Sequence, residues 1–178
     1  MNKSSEEIEQ IFRNSNSPDE LFDAFRGAIT RRISDIELYK ILLANPILSK
    51  EELKMYSEHL SKVFCEKAFD IFMWTGNIFA NYNAEYERLE DSISYYVKAL
   101  YSNPKNHEPF CKLLQLYNYD MNVPANKIII EIVESCINKV ERKSVVYTEM
   151  SKLFEKAGFK EKSVEYLKLA QKQQREES

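Results

Sequence analysis

The residue types that most often carry out chemistry are scarce in this sequence and lie far apart. His59 and His107 are the only histidines among the 178 residues, and each lies in a polar segment where a surface role is the ordinary one. The three glycines are scattered along the chain, so they cannot form a Gly-rich loop that binds phosphate. We therefore predict no enzymatic activity, no catalytic residue, no metal site and no cofactor.

The spacing of cysteines and glutamates leads to the same expectation. Cys65, Cys111 and Cys136 are odd in number and widely spaced, unlike a disulfide framework or a Cys-x-x-Cys metal site. Glu131 and Glu134 form a Glu-x-x-Glu, whereas di-iron helical bundles use Glu-x-x-His. Both glutamates are therefore expected on a solvated helix surface.

Composition indicates a globular protein without a strong field of either sign. Apolar residues make up 44% and charged residues 30%, and the net charge is −3. This balance gives no broad attraction for nucleic acid or anionic lipid, so neither is the expected partner. The most apolar window, 68–82, is shorter than the roughly 20 residues of a membrane span, and the N-terminus lacks the apolar core of a signal peptide. We expect a cytoplasmic protein with no membrane association.

Helix signals recur along the whole chain, whereas the alternation typical of strands does not. Three glycines and five prolines favour long helices joined by short corners. Ser17 and Ser34 are predicted to open helices, and Ser49 with Glu52 forms a capping box. Residues 49–83 form either one long bent helix or two helices with a break near 65–68. Other helices are predicted at 4–14, 87–102, 107–119, 123–141, 144–157 and 160–175, so the fold class is all-α with about nine or ten helices.

The chain also contains an internal repeat. Segment 92–106 aligns with segment 163–172, and a third unit begins after Pro104, so that repeats start near residues 73, 107 and 144. This pattern resembles the tetratricopeptide repeat (TPR), a helix-turn-helix of about 34 residues. The positions that match the packing residues of the family are Phe79, Ala80, Ser92, Tyr96, Ala99, Pro104, Phe110, Leu113, Tyr117, Tyr147, Met150, Ser151, Phe154, Gly158, Ser163, Leu167 and Ala170.

The resemblance implies a right-handed superhelix of antiparallel helical hairpins, a TPR-like α-solenoid. It predicts a single structural domain made of an N-terminal helical segment (1–16), a degenerate helical repeat region (17–72) and three repeats (73–178). The three repeats span about 73–106, 107–143 and 144–177. In such an array, the first helix of each repeat lines a concave groove.

In the TPR family this groove typically holds a peptide or helix of a partner protein. The corresponding positions here are Trp74, Asn77, Asn81, Glu85, Glu108, Cys111, Lys112, Gln115, Asn118, Tyr119, Thr148, Glu149, Lys152 and Glu155. The asparagines and glutamine either bind the backbone amides of a peptide or only solvate the helix face. Trp74 is either an apolar anchor for the partner or a core residue. Asn77, Val145 and Glu149 stand where chaperone-binding members carry basic residues, so we expect a mixed or basic segment rather than an acidic tail.

The resemblance implies a non-enzymatic protein–protein interaction module that acts as a scaffold or adaptor. One alternative is a dedicated small chaperone of a secretion or assembly system. Two others are a helical enzyme or regulatory subunit with a pocket beside Trp74, and an RNA-binding α-solenoid. The last hairpin has few features of a capping helix, so self-association into a homodimer is a further hypothesis.

Overall fold

A computed structural model describes residues 4–81, 86–120 and 123–177, and all regular secondary structure within them is helical. The all-α prediction and the predicted number of helices are confirmed, because these residues form ten α-helices. Two short 3-10 turns, Cys65–Lys67 and Ile137–Lys139, accompany them. The α-helices are α1 (Ser5–Asn14), α2 (Pro18–Thr30), α3 (Ile36–Leu43), α4 (Lys50–Val63), α5 (Ala68–Asn81), α6 (Tyr86–Ser102), α7 (Glu108–Gln115), α8 (Pro124–Cys136), α9 (Lys143–Lys156) and α10 (Lys160–Glu176).

Serine and aspartate side chains set the first four helix starts. Ser4 and Ser49 each form a complete capping box, in which the serine hydroxyl accepts from the backbone N–H three residues on, at 3.1 and 3.2 Å. Ser17 caps α2 in the predicted way. Asp35, rather than Ser34, caps α3, so this helix begins later than predicted.

The described part of 49–83, which ends at Asn81, forms two helices, α4 and α5, and this settles the alternative that the sequence left open. Phe64 leaves the helical conformation, with φ −119° and ψ 65°, and its ring lies 5.6 Å from the ring of Tyr39. A buried hydrogen bond between the Ser57 and Thr75 hydroxyls, 2.9 Å long, joins α4 to α5. After the break, α4 and α5 therefore meet through these two small polar side chains.

Two later helices are shorter than predicted. α7 ends at Gln115 rather than near 119, because the side chain of Asn126 holds the main chain of Asn118 outside the helix. Asn126 accepts the Asn118 N–H at 2.9 Å and donates to its carbonyl at 2.7 Å. α8 ends at Cys136 rather than at 141, and Val140 after the 3-10 turn is extended with ψ 138°.

Contacts between residues divide the chain into two units, 1–78 and 79–178, and the division lies within α5. In the first unit, α1 packs against α2 and α3, and α3 packs against α4. Phe25 meets Tyr56 edge-to-face at 4.7 Å and Tyr39 at 6.3 Å. The buried Tyr39 hydroxyl donates to the Ile33 carbonyl at 2.7 Å, so the core of this unit is aromatic and its phenol is satisfied.

In the second unit, α6 and α7 each contact both the next helix and the helix after it. α6 contacts α7 and α8, α7 contacts α8 and α9, and α9 packs along α10. The last two helices approach closely at Ser151 and Ser163, where the Ser151 hydroxyl donates to the Ser163 carbonyl at 2.9 Å. Both serines are buried, so a larger side chain would not fit at this crossing.

Two helix ends share the same hydrogen-bonded motif but use different residues at its left-handed position. After α9, Gly158 has φ 85°, and the N–H groups of Gly158 and Phe159 donate to the carbonyls of Glu155 and Phe154 at 3.0 and 2.8 Å. The rings of Phe154 and Phe159 meet at 6.2 Å, which completes a Schellman motif.

After α2, Arg32 occupies the equivalent position with φ 53°. The N–H groups of Arg32 and Ile33 donate to the carbonyls of Ile29 and Ala28 at 2.9 and 3.1 Å. A side chain at positive φ is strained, whereas glycine is not. The two corners therefore differ in backbone strain although their hydrogen bonds are alike.

Across the three described ranges, none of the helices combines the length and the apolar character that a bilayer crossing requires.

Candidate functional site

The second unit brings predicted groove residues of two consecutive repeats together where α7 contacts α9. We call this region the α7–α9 surface. It is formed by side chains of α7, of the turn after it and of α9, and its members are Glu108, Cys111, Tyr119, Glu149, Lys152 and Lys156.

Local sequence determines which face α7 presents. The Asn106 side chain accepts the Glu108 N–H at 2.8 Å, and Pro109 occupies the first turn, so the helix starts at Glu108. Pro109, Phe110, Leu113 and Leu114 are buried. Glu108, Cys111, Lys112 and Gln115 recur at helical spacing and remain at least partly accessible on the other face.

α9 divides in the same way into a buried and an accessible face. Val146, Met150, Leu153 and Phe154 are buried, whereas Glu149 and Lys152 keep contact with solvent. The Lys152 ammonium lies 2.8 Å from a Glu149 carboxylate oxygen, and this hydrogen bond raises the pKa of Lys152. Exposed helical pairs of this kind contribute little to stability, so both charges are available to a partner.

The pKa of Cys111 on α7 depends on charged residues of both helices. Burial, followed by the negative charges of Glu149 and Glu108, raises the pKa of the Cys111 thiol to about 11, and Lys152 opposes the shift. The thiol is therefore protonated at neutral pH and is a poor nucleophile. The same interactions show that Glu149 and Lys152 on α9 act on a residue of α7.

An aromatic residue with a lysine marks one end of the α7–α9 surface. The Lys156 ammonium lies 4.1 Å from the centre of the Tyr119 ring, which is a cation–π geometry. The centre of the Tyr117 ring lies 5.1 Å from the centre of the Tyr119 ring. Partial burial, followed by Tyr117 and the charge of Glu149, raises the pKa of Tyr119. Tyr119 is still 39% exposed, so one side of its ring can contact a bound chain.

Other predicted groove residues have local roles or lie elsewhere. The Asn118 side chain accepts the Asp120 N–H at 2.9 Å, and the Thr148 hydroxyl donates to the Ser144 carbonyl at 2.7 Å. Gln115 and Asn81 are exposed at the ends of their helices, and Glu155 is exposed on α9. Asn77 belongs to the unit 1–78 and is partly buried, and Glu85 lies outside the described residues.

Trp74 also belongs to the first unit, where it packs against α3. Its indole N–H donates to the Lys40 carbonyl at 3.0 Å, and the Lys40 ammonium lies 5.7 Å from its ring. Beside it lies an open cavity of about 360 Å³. The cavity is lined by Phe12, Arg13, Glu37, Lys40, Ile41, Ala44, Asn45, Pro46 and Trp74. Glu37 is the carboxylate in this lining, and it pairs with Lys40 at 2.7 Å.

Most predicted packing positions of the repeats are at least partly buried. The buried ones are Phe79, Ser92, Tyr96, Ala99, Phe110, Leu113, Met150, Ser151, Phe154, Ser163 and Ala170. Pro104, Tyr117 and Tyr147 are half-buried, and Gly158 is exposed at its corner. Ala80 and Leu167 also lie on the surface, although both were predicted as packing positions.

Two residues of the region were not found by sequence reasoning. Lys156 contacts Tyr119, and its position seven residues after Glu149 on the same helix face is a signal that could have found it. Asn126 holds the turn that carries Tyr119. No local sequence pattern predicts this role of Asn126, because Asn126 and Asn118 meet only through the packing of α8 against α7.

Within the part of the chain that the structure describes, no group of three His, Cys, Asp or Glu residues is arranged to hold a metal ion. No family model, curated protein or solved structure matches the chain.

Proposed function

We propose that the chain is a non-enzymatic protein-interaction module, a TPR-like scaffold or adaptor, whose α7–α9 surface binds an extended segment of a partner protein. The observation that carries this proposal is the contact between α7 and α9. It sets acidic, basic and aromatic side chains from two consecutive predicted repeats side by side.

The order of helix contacts supports a TPR-like arrangement. α7 and α9 are the first helices of the second and third predicted repeats, and they contact each other. α6 and α8 are the second helices of the first and second repeats, and they also contact each other. A solenoid needs this pairing of like helices, because it is what lines one face with first helices and the other with second helices.

The charges of the α7–α9 surface favour a segment of mixed charge. Glu108 and Glu149 can accept hydrogen bonds from a lysine or arginine of the partner. Tyr119 and Lys156 offer an aromatic ring and a cation next to each other, which suit an apolar or acidic residue. The lysines alternate with glutamates instead of forming a continuous basic stripe, so a polypeptide fits better than RNA.

Selection from a displayed library of random peptides tests the proposal and does not require an identified partner. We expect purified full-length chain to enrich peptides that combine a basic residue with an aromatic or aliphatic one. Their dissociation constants, measured by fluorescence anisotropy, should rise at least about tenfold for Tyr119→Ala and for Glu149→Lys. Loss of a hot-spot side chain costs about 2 kcal/mol or more, and reversal of a charge adds repulsion of a basic residue of the peptide.

Tyr101→Ala is the matched control, because Tyr101 is a 68% exposed tyrosine on α6 and is not a member of the α7–α9 surface. This variant should bind the selected peptides as the wild type does. If no peptide is enriched, or if Tyr101→Ala weakens binding as much as Tyr119→Ala, the assignment of the α7–α9 surface is refuted.

A further inference from the structure

The first half of α10 carries a cluster of large apolar side chains on the surface. Phe159 just before the helix is 55% exposed, Val164 is 50% exposed and Leu167 is 45% exposed. Val164 and Leu167 are three residues apart and therefore lie on the same face of the helix. Ser163 and Ala170, which are buried on α10, stand four residues before and three residues after Leu167. The exposed apolar pair therefore lies next to the stripe that packs on α9.

Charged residues of opposite sign border this apolar face along one edge. Glu161, Lys168 and Lys172 are exposed and follow one another at intervals of seven and four residues. These intervals keep them in one strip of the helix surface, next to Val164. The strip is acidic before the apolar pair and basic after it, and Lys172 contacts Glu176 only at 3.9 Å.

We propose that this face of α10 binds the α10 helix of a second copy of the chain, in antiparallel orientation. A two-fold axis midway between Val164 and Leu167 places Val164 of one copy against Leu167 of the other. Because both helices rise by the same amount per residue, Glu161 then lies level with the interval between Lys168 and Lys172 of the second copy.

The charge pattern selects this orientation over the alternative. In the antiparallel pair, two equivalent clusters form, each with one glutamate between two lysines of the other copy. In a parallel pair, whose two-fold axis runs along the helices, the two strips would lie on opposite edges of the contact, so Glu161 would not meet the lysines of the other copy. The pattern therefore specifies a homodimer with one register.

The dimer should be weak and concentration-dependent. One helix face with two or three apolar side chains buries less than the roughly 800 Å² per partner of a standard stable interface. We expect dissociation constants on the order of 10 µM to 1 mM. This surface differs from the α7–α9 surface, so dimerisation leaves the proposed peptide site accessible.

Sedimentation equilibrium of the full chain at low salt, over a concentration range up to about 1 mM, tests the apolar contact. We expect a reversible monomer–dimer equilibrium that Leu167→Glu weakens at least about tenfold. Ile128→Glu is the matched control, because Ile128 is 47% exposed on α8, and it should leave the equilibrium unchanged. A monomer at every concentration, or equal loss in the two variants, overturns the proposal.

Charge exchange tests the orientation independently. Glu161→Lys and the double variant Lys168→Glu/Lys172→Glu should each be monomeric, because each creates like charges at both clusters. An equimolar mixture should form a heterodimer, since every cluster then contains opposite charges. Circular dichroism shows whether each variant retains the helix content of the wild type. Failure of the folded variants to pair on mixing overturns the antiparallel register.

Discussion

The two Schellman corners allow a paired prediction in which substitutions at equivalent positions change stability in opposite directions. At Gly158 a new Cβ would meet nothing within 4 Å, so Gly158→Ala introduces no clash. Its cost arises from the backbone, because φ 85° is unfavourable for a residue with a Cβ. That strain is about 1–2 kcal/mol, and the lower entropy of the unfolded chain offsets about 0.4–1 kcal/mol of it.

We therefore expect Gly158→Ala to lower the free energy of unfolding by about 1 kcal/mol. Arg32→Gly relieves the same kind of strain at φ 53° and should raise the free energy of unfolding by about 0.5–1 kcal/mol. In a chain of 178 residues such changes correspond to shifts of about 2–4 °C in Tm.

Thermal and urea denaturation, followed by circular dichroism, measure both effects. Gly27→Ala is a control with the same chemical change, because Gly27 lies inside α2 and a Cβ there also meets nothing within 4 Å. Ala has the higher helix propensity, so this variant should be slightly more stable than the wild type. If Gly158→Ala is neutral or stabilising like Gly27→Ala, the strain argument is refuted.

Three further substitutions test other contacts by urea denaturation. The Glu177 carboxylate accepts the N–H of Ser144, at the start of α9, at 3.0 Å. Partial burial raises the pKa of Glu177, but the hydrogen bonds from Ser144 and Lys143 have the larger effect. The pKa of Glu177 therefore lies below its usual 4.5. Glu177→Gln should thus lower the free energy of unfolding by about 0.5 kcal/mol at pH 7. The difference from the wild type should vanish as the pH falls below 4.5, because the wild-type carboxylate is then protonated. A difference that persists in acid contradicts this. Asn126→Ala should lower the free energy of unfolding by about 1–3 kcal/mol, because it removes two hydrogen bonds to the Asn118 main chain. Asn118→Ala leaves that main chain in place and should lower the free energy of unfolding by less. Ser163→Leu should cost about 1–3 kcal/mol by overpacking the α9–α10 crossing, and a cost no larger than that of Ser163→Ala would contradict close packing there.

Local signals predicted much of the fold. The capping box at Ser49 forms as expected, because a serine and a glutamate three residues later satisfy each other's backbone without help from the rest of the chain. The same motif at Ser4 was not predicted, although the helix that it opens was. The scarcity of glycine and proline correctly predicted helices alone in the described ranges. The predicted ends of α7 and α8 were wrong, because those ends depend on contacts between helices.

The candidate site was predicted only in part. The resemblance to the tetratricopeptide repeat predicted Glu108 and Cys111 as groove positions of one repeat, and Glu149 and Lys152 as groove positions of the next; each pair keeps some exposure on its helix. The role of Asn118 in a turn could not be predicted in this way, because it follows from the two hydrogen bonds that Asn126 makes. From its residue type, Trp74 could belong either to the core or to the groove. Only the hydrogen bond from its indole N–H to the Lys40 carbonyl shows that it contacts α3.

The sequence by itself determined the helices, most of their starting residues and the faces that they present, since these depend on interactions within a few residues. Tertiary structure alone decided which of those faces meet. It brought α7 next to α9, held Tyr119 beside Lys156, and left Val164 and Leu167 uncovered on α10. The physical reason is that contacts between helices depend on the packing of whole side-chain surfaces, which no local pattern of residues encodes.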